Sequence, residues 1–236
     1  MIWLGIETAN APLSVAVVKD GKVLAEVVQN IKVTHSAGAM PAIETILANV
    51  GVKPNELEAI AVSEGPGSYT GVRIGVTLAK TLAWTLQKPL VGVSSLKVLA
   101  ANAALFNGLI CPIFDARRGN VYTAVYKGPK LDVVIEDYHD HIDGLLARLK
   151  DLDAPILFIG VDVDLFWDKI VEVIGHNAYR APLYDDLPRA SAAINLASME
   201  NLPNVEEVHH FIPQYKRIAE AEANWLKEQK EKAHEQ

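Results

Sequence analysis

A glycine-rich stretch gives this chain its best setting for ligand chemistry, since residues 65–75 read GPGSYTGVRIG. The apolar segment just before it is typical of a buried strand. A strand, a glycine turn and a helix N-terminus together form a geometry that binds phosphates through backbone N–H groups. Gly65 and Gly67 can adopt positive φ, and Ser68 or Thr70 can cap the following helix. Because the stretch has neither the lysine of G-x-x-x-x-G-K-[ST] nor the spacing of G-x-G-x-x-G, it fits both a ligand loop and a structural turn.

Two further polar groups follow predicted strands, where α/β folds place ligand-binding side chains. Thr8 comes just after the apolar strand 2–6 and the carboxylate Glu7, and it either contacts a phosphate or closes a turn. Asp115 follows the apolar segment 109–114, and it either faces a ligand or clamps a hairpin together with the arginines beside it. The sequence leaves both pairs of alternatives open.

The histidines and serines indicate neither a metal site nor a nucleophile with its base. His35 lies alone at the start of a predicted helix, because the position one turn later is Ala39. The histidines at 139, 141, 209 and 210 are interpreted as solvated loop residues, and no serine lies in a G-x-S-x-G context. We therefore predict no catalytic residue and no bound metal.

Composition narrows the class of protein. The formal net charge of −7 argues against autonomous nucleic-acid binding, which needs a basic face. The single cysteine, Cys111, lies in an apolar run and predicts a buried thiol in a reducing compartment. The first residues lack the basic start of a signal peptide, and no apolar run approaches the ~20 residues of a membrane span. These features predict a soluble cytoplasmic protein.

The order of predicted elements indicates a duplicated α/β fold. Asp20-Gly21, between strands 14–18 and 22–29, is a type I′ hairpin signal, so the chain opens with an antiparallel meander. Helices then alternate with buried strands, and a second series of the same kind begins near residue 107. This order is that of two ribonuclease H-like lobes, as in the actin-like and sugar-kinase (ASKHA) superfamily. The predicted units are residues 1–106, residues 107–212 and a C-terminal helical segment, 213–236.

Two predicted helices, 36–50 and 70–87, carry apolar or small residues on more than one face. In the second helix, small residues recur every four positions from Gly71 through Gly75 and Ala79, so that a sheet or a second subunit can approach closely. The opposite ridge of that helix consists of Ile74, Leu78, Leu82 and Leu86. We predict a helical interface here, with core packing as the alternative.

Several motifs, in order along nearly the whole chain, resemble the TsaB (YeaZ) family. The most specific is the glycine-rich stretch 65–75, which has Tyr69 where phenylalanine is common. The others are Ile6-Glu7-Thr8, His35-Ser36 with Met40-Pro41, the VGVSSL of 91–96, Asp115-Ala116-Arg117-Arg118 with Val121-Tyr122, and Pro213-x-Tyr215-x-Arg217. An ordered set of motifs is far more specific than any one of them.

The resemblance implies a non-catalytic paralogue of TsaD, the subunit that transfers a threonylcarbamoyl group to adenosine in tRNAs reading A-starting codons. TsaD binds a metal through two histidines four residues apart, and the matching positions here are Ser95 and Leu99. The implied partners are TsaD and the ATPase TsaE, with tRNA reached only through them. No intrinsic cofactor is implied, whereas ATP or ADP at the interface of the complex is left open.

The resemblance also implies that helices 36–50 and 70–87 bind TsaD, and that the same face forms a homodimer. The implied interface residues are Met40, Ile43, Leu47, Gly71, Arg73, Gly75, Val76, Leu78, Ala79 and Leu82. A nucleotide or anion loop would comprise Thr8, Gly65, Gly67, Ser68 and Thr70. The alternatives are a small-molecule kinase or ATPase of the same superfamily and, third, a zinc metalloprotease.

Overall fold

The computed structural model describes residues 1–31 and 34–216, which fold into two lobes with one five-stranded sheet each. The first sheet comprises β1 (Ile2–Glu7), β2 (Leu13–Lys19), β3 (Lys22–Gln29), β4 (Ala59–Gly65) and β5 (Leu90–Ser94). Its order is β3-β2-β1-β4-β5, in which β1 to β3 form the antiparallel meander and β4 and β5 run parallel to β1. The predicted hairpin is confirmed, because Lys19 pairs with Lys22 and both turn residues, Asp20 and Gly21, have positive φ.

The second sheet repeats the topology of the first. It comprises β6 (Leu109–Asp115), β7 (Asn120–Lys127), β8 (Asp132–His141), β9 (Ile156–Ile159) and β10 (Ala178–Arg180) in the order β10-β9-β6-β7-β8. In both lobes, therefore, the first strand lies between the second and the fourth. This confirms the predicted pair of actin-like lobes. The sequence analysis did not anticipate β10, which has only three residues.

Six α-helices occur in the described part of the chain. They are α1 (His35–Val50), α2 (Tyr69–Leu86), α3 (Ser95–Ala100), α4 (Ile142–Lys150), α5 (Trp167–Ile174) and α6 (Ala190–Ala197). The helix predicted to reach residue 106 is wrong in length, because α3 gives way to a 3-10 turn at Ala101–Ala103. No helix within 1–31 and 34–216 is long and apolar enough to cross a membrane. The predicted C-terminal helix lies outside the described residues from 217 onward.

The two lobes exchange their last helices. α1 and α2 cover one face of the first sheet, and α6 of the second half of the chain covers the other. Conversely, α3 packs on the second sheet, whose far face is covered by α4 and α5. Each sheet is thus buried on both faces, as the apolar character of its central strands requires. The division at residues 106 and 212 stays a prediction.

Candidate functional site

The glycine turn before α2 is filled by the chain's own backbone. A Cβ on Gly65, whose φ is +113°, would lie 2.4 Å from the carbonyl oxygen of Gln214. A Cβ on Gly67 would lie 2.2 Å from the carbonyl oxygen of Ala9, which also accepts a 2.7 Å hydrogen bond from the amide of Ser68. Only glycine permits such approaches. Of the two alternatives that the sequence left open, this geometry favours the structural turn.

Thr8 also has a structural role in this fold. Its buried hydroxyl donates a 2.8 Å hydrogen bond to the carbonyl oxygen of Gly71, in the first turn of α2. A Cβ on Gly75 would lie 2.3 Å from the same hydroxyl oxygen, so both glycines are needed for α2 to approach β1. This contact favours the structural alternative for Thr8, and its part in a nucleotide or anion loop stays a prediction. Ser68, not Thr70, caps α2, because its Oγ accepts a 3.3 Å bond from the amide of Gly71.

Glu7 is completely buried beneath this turn. Its carboxylate accepts hydrogen bonds from the hydroxyl of Ser63 and, at 2.7 Å, from the amide of Ala9. Burial raises the pKa of Glu7 from its ordinary 4.5 to about 7, although both hydrogen bonds favour the ionised form. Glu7 thus holds the β1–β2 connection and is inaccessible to a ligand.

A polar cleft of about 510 Å³ lies between the lobes, at the N-terminus of α2. Across it, Nδ2 of Asn10 donates a 2.9 Å hydrogen bond to Oδ2 of Asp162, which also accepts a 3.0 Å bond from the amide of Asp115. The Asp115 carboxylate in turn accepts a 2.9 Å bond from the amide of Arg117, which supports the hairpin alternative for this residue. The cleft offers Ser68 and Thr70 to a polar ligand, and their role in anion binding stays a prediction.

The positions that match the metal ligands of TsaD do not suit a metal. Ser95 and Leu99 are both completely buried, and Oγ of Ser95 accepts a 3.0 Å hydrogen bond from the amide of Gly65. Nε2 of His35 donates a 2.8 Å bond to the carbonyl oxygen of Asn10, so it ties α1 to the β1–β2 connection. Within residues 1–31 and 34–216, no three His, Cys, Asp or Glu side chains converge to hold a metal ion.

An open apolar groove of about 580 Å³ runs between the outer sides of α1 and α2. Its walls include Met40 from α1, with Ile74 and Leu78 from α2. A second hollow of about 320 Å³ continues it over Ile43, Leu47, Leu82 and Leu86. Apolar hollows of this kind on a helix pair suit the apolar side chains of another protein. We call the two together the α1–α2 groove.

The implied interface residues divide between the two sides of α2. The small-residue stripe faces the first sheet: Gly71, Gly75, Val76 and Ala79 are buried in the lobe's own core. Their burial favours the core-packing alternative for these four residues, and their assignment to the interface stays a prediction. Ile43 and Leu47 are also almost fully buried and form the floor of the groove. Met40, Arg73, Leu78 and Leu82 remain at least partly exposed and available to a partner.

The sequence analysis did not anticipate that residues 211–216 cross the flank of α2. The amide of Gln214 donates a 2.7 Å hydrogen bond to the carbonyl oxygen of Glu64, beside the glycine turn. Nζ of Lys80 donates to the carbonyl oxygen of Phe211 at 2.7 Å. We call residues 211–216 the strap. The sequence analysis noted the Pro213-x-Tyr215 motif in this segment, but the motif alone does not predict which part of the fold the segment contacts.

The fold is that of the actin-like (ASKHA) class. It has two lobes of the same topology, a polar cleft between them, and a last helix of each half that packs on the sheet of the other. The ROK hexokinase of Thermus thermophilus shares this fold at 12% identity and a TM-score of 0.51, over 85% of this chain and 100% of that one. At this level of identity the likeness concerns the fold alone.

The particular family follows from closer similarities. The model for "TsaD: tRNA N6-adenosine threonylcarbamoyltransferase" matches residues 22–225. The tRNA threonylcarbamoyladenosine biosynthesis protein TsaB of Bacillus subtilis is 44% identical over 232 residues, covering 98% of this chain and 100% of that protein. A Pseudomonas aeruginosa structure described as similar to peptidase YEAZ has 25% identity and a TM-score of 0.76, over 92% and 99% of the two chains. The chain belongs to the TsaB (YeaZ) family.

Proposed function

We propose that this chain is a non-catalytic subunit in the biosynthesis of threonylcarbamoyladenosine in tRNA. It binds TsaD through the α1–α2 groove and, with TsaE, assembles the complex that transfers the threonylcarbamoyl group to adenosine in tRNAs reading A-starting codons. tRNA reaches it only through these partners, in the cytoplasm. A homodimer uses the same groove when TsaD is absent. ATP or ADP binds at the junction with TsaD and is not a cofactor of this chain alone.

The observation that carries this proposal is the open α1–α2 groove. Met40, Ile74 and Leu78 line an apolar hollow on the outside of the first lobe, and all three side chains are only partly buried there. Contiguous exposed apolar surface of this kind marks interaction sites in soluble proteins. Gly75 and Ala79 are buried on the side of α2 that faces the first sheet, whereas Leu78 on the outer side packs only partly on the core and leaves apolar surface for a partner.

The cleft supports a role other than catalysis. Thr8 and Glu7, the polar groups that follow the first strand, are buried and hydrogen-bonded within the lobe. The Asp115 carboxylate holds the backbone of its own hairpin. These engagements weigh against the kinase or ATPase alternative, and the buried Ser95 and Leu99 weigh against the metalloprotease alternative.

Substitution of Leu78 by aspartate tests the groove. Because a carboxylate in an apolar interface loses its hydration, we expect Leu78→Asp to weaken binding of purified TsaD at least about tenfold in isothermal titration calorimetry. Thr77→Glu adds a charge to the same groove from an exposed side chain, and it covers the case in which Leu78→Asp unfolds the lobe. The matched control is Leu105→Asp, since Leu105 is 91% exposed and lies outside the groove.

Binding and activity measurements distinguish a non-catalytic subunit from a kinase or ATPase. Unchanged TsaD binding by Thr77→Glu and Leu78→Asp would contradict the groove as the docking face. Reconstituted tRNA modification should require this chain together with TsaD and TsaE. ATP turnover by the isolated chain would instead support the kinase or ATPase alternative.

A further inference from the structure

The strap lies along the flank of α2 and runs in the opposite direction. Just before the strap, His209 contacts Trp84 near the end of the helix, with ring centroids 4.0 Å apart and ring planes inclined by 58°. Tyr215 of the strap contacts Tyr69 at the beginning of the helix, with ring centroids 5.3 Å apart. Between these ends, Nζ of Lys80 donates to two carbonyl oxygens, those of His209 at 3.2 Å and Phe211 at 2.7 Å. Lys80, in the second half of α2, therefore ties the beginning of the strap to the helix.

The first sheet provides a seat for the strap. The amide of Gln214 donates a hydrogen bond to the carbonyl oxygen of Glu64, and Gly65 leaves the space that the Gln214 carbonyl fills. A Cβ on Gly92 would lie 2.6 Å from the Phe211 ring, so this glycine makes room for the ring. Two glycines and a backbone hydrogen bond thus accommodate an extended segment at one place.

The seated strap creates an exposed aromatic and cationic cluster. The Arg73 guanidinium lies 4.8 Å from the centroid of the Tyr69 ring, and its Nη1 donates a 2.7 Å bond to the Tyr69 hydroxyl. Tyr215 also contacts the Tyr69 ring, and both side chains remain exposed, Tyr69 at 56% and Tyr215 at 46%. Tyr69 and Arg73 also line the α1–α2 groove, so the cluster is continuous with it.

Tyrosine and arginine are the residues that most often dominate binding energy in protein interfaces. Side chains that are ordered before binding lose less conformational entropy when a partner docks. Tyr215 of the strap contacts the Tyr69 ring, over which the Arg73 guanidinium lies. The strap therefore adds a third side chain to this exposed cluster.

We propose that the strap completes the docking face of this protein, and that TsaD binds tightly only when the strap is seated on α2. The inference rests on the proposed function of the groove. It extends the docking face from the two helices to residues 211–216, and it gives Lys80 a positioning role although Lys80 lies outside the groove.

Substitution of Lys80 by methionine tests the proposal in the full-length chain. Methionine keeps an unbranched apolar stem of nearly the same length but has no ammonium group to donate to the two carbonyl oxygens. We expect Lys80→Met to speed hydrogen exchange of the Gln214 amide and to weaken TsaD binding about tenfold, as loss of an interface hot spot does. Tyr215→Ala should weaken binding similarly, whereas Lys80→Arg, which retains donors, should largely preserve it.

The control is Lys88→Met, the same change just beyond the C-terminus of α2. If exchange at Gln214 speeds up in Lys80→Met while TsaD binding stays unchanged, the strap is not part of the docking face. Unchanged exchange at Gln214 would equally overturn the proposal, because Lys80 would then not hold the strap. If only self-association weakens, the strap serves a second copy of this chain and not TsaD. Failure of the unaltered chain to bind TsaD would reject the proposed function and, with it, this inference.

Discussion

Glu7 combines complete burial with two hydrogen bonds, and the balance between them fixes its protonation. Desolvation disfavours the carboxylate, whereas the donors from Ser63 and Ala9 stabilise it. Desolvation is the larger effect, so the pKa rises to about 7. Folded Glu7 therefore retains its proton to a higher pH than an ordinary glutamate does.

This raised pKa links the stability of the fold to pH. Between the ordinary value of 4.5 and about 7, folded Glu7 retains a proton that the unfolded chain has lost. The contribution of Glu7 to stability is therefore fully present below pH 4.5 and is lost as pH rises to about 7, at up to about 1.4 kcal/mol per pH unit. We expect Glu7→Gln to remove this slope, as measured by urea unfolding at pH 5, 6, 7 and 8. Equal slopes in the two proteins would show that Glu7 titrates normally.

At the residue scale, the sequence indicated which glycines form a tight turn, but not which other residues contact that turn. The spacing of Gly65 and Gly67 predicted a tight turn correctly. Their actual neighbours, Gln214 and Ala9, come from distant or unpatterned parts of the chain. An anion cradle and a self-filled turn need the same glycines, so no local pattern could distinguish them. The strap escaped notice for the same reason, since Lys80 and Phe211 are adjacent only in the folded chain.

One face of helix α2 packs closely against strand β1. Its small residues allow α2 to approach β1 so closely that the Thr8 hydroxyl lies between Gly71 and Gly75. Alanine at position 75 would gain about 1 kcal/mol of helix propensity. The new methyl group would, however, meet the Thr8 oxygen at 2.3 Å, a distance that real Cβ contacts do not show. The steric cost should exceed the gain in propensity.

A double-mutant cycle at the α2–β1 contact separates these effects. We expect Gly75→Ala alone to destabilise the protein by about 1–2 kcal/mol, since overpacking of a core forces the backbone apart. Thr8→Ala alone should cost about 1 kcal/mol through loss of its hydrogen bond to Gly71. In the double variant the clash disappears, so it should be more stable than the sum of the single effects predicts. Thr77→Ala, on the outer face, is the control and should change stability little; strict additivity would contradict the steric role of Thr8.

At the element scale, strong periodicity gave types correctly and boundaries less well. The predicted helix 36–50 starts one residue later than α1 and ends at the same residue, because Gly51 in a left-handed conformation ends the helix. The helix predicted for residues 96–106 extends beyond α3, because a 3-10 turn follows α3 within the same apolar run. β10 was missed because three residues, Ala178–Arg180, show no alternation that a sequence pattern could register.

The two lobes are joined by helices that pack across from one lobe to the other, and not only by the chain that connects them. α6 packs on the first sheet so closely that a Cβ on Gly5 would lie 2.9 Å from Cγ1 of Ile194. α3 is buried against the second sheet in the same way. Between the lobes, Asp137 of the second lobe accepts a 2.6 Å hydrogen bond from Ser94 of the first, and a 2.7 Å bond from the Tyr126 hydroxyl holds Asp137 within its own lobe. Neither sheet can keep both of its faces covered if the other lobe unfolds.

This exchange of helices predicts that the two lobes unfold as one unit. With 5-fluorotryptophan incorporated, the resonances of Trp3 in the first lobe and Trp167 in the second should lose native intensity at the same urea concentration. Ile194→Ala opens a cavity only on the first sheet and should cost about 2–5 kcal/mol. Because α6 belongs to the second half of the chain, the loss should shift the Trp167 transition as far as that of Trp3. A shift of Trp3 alone would mean that the lobes fold independently and that the exchanged helices only dock.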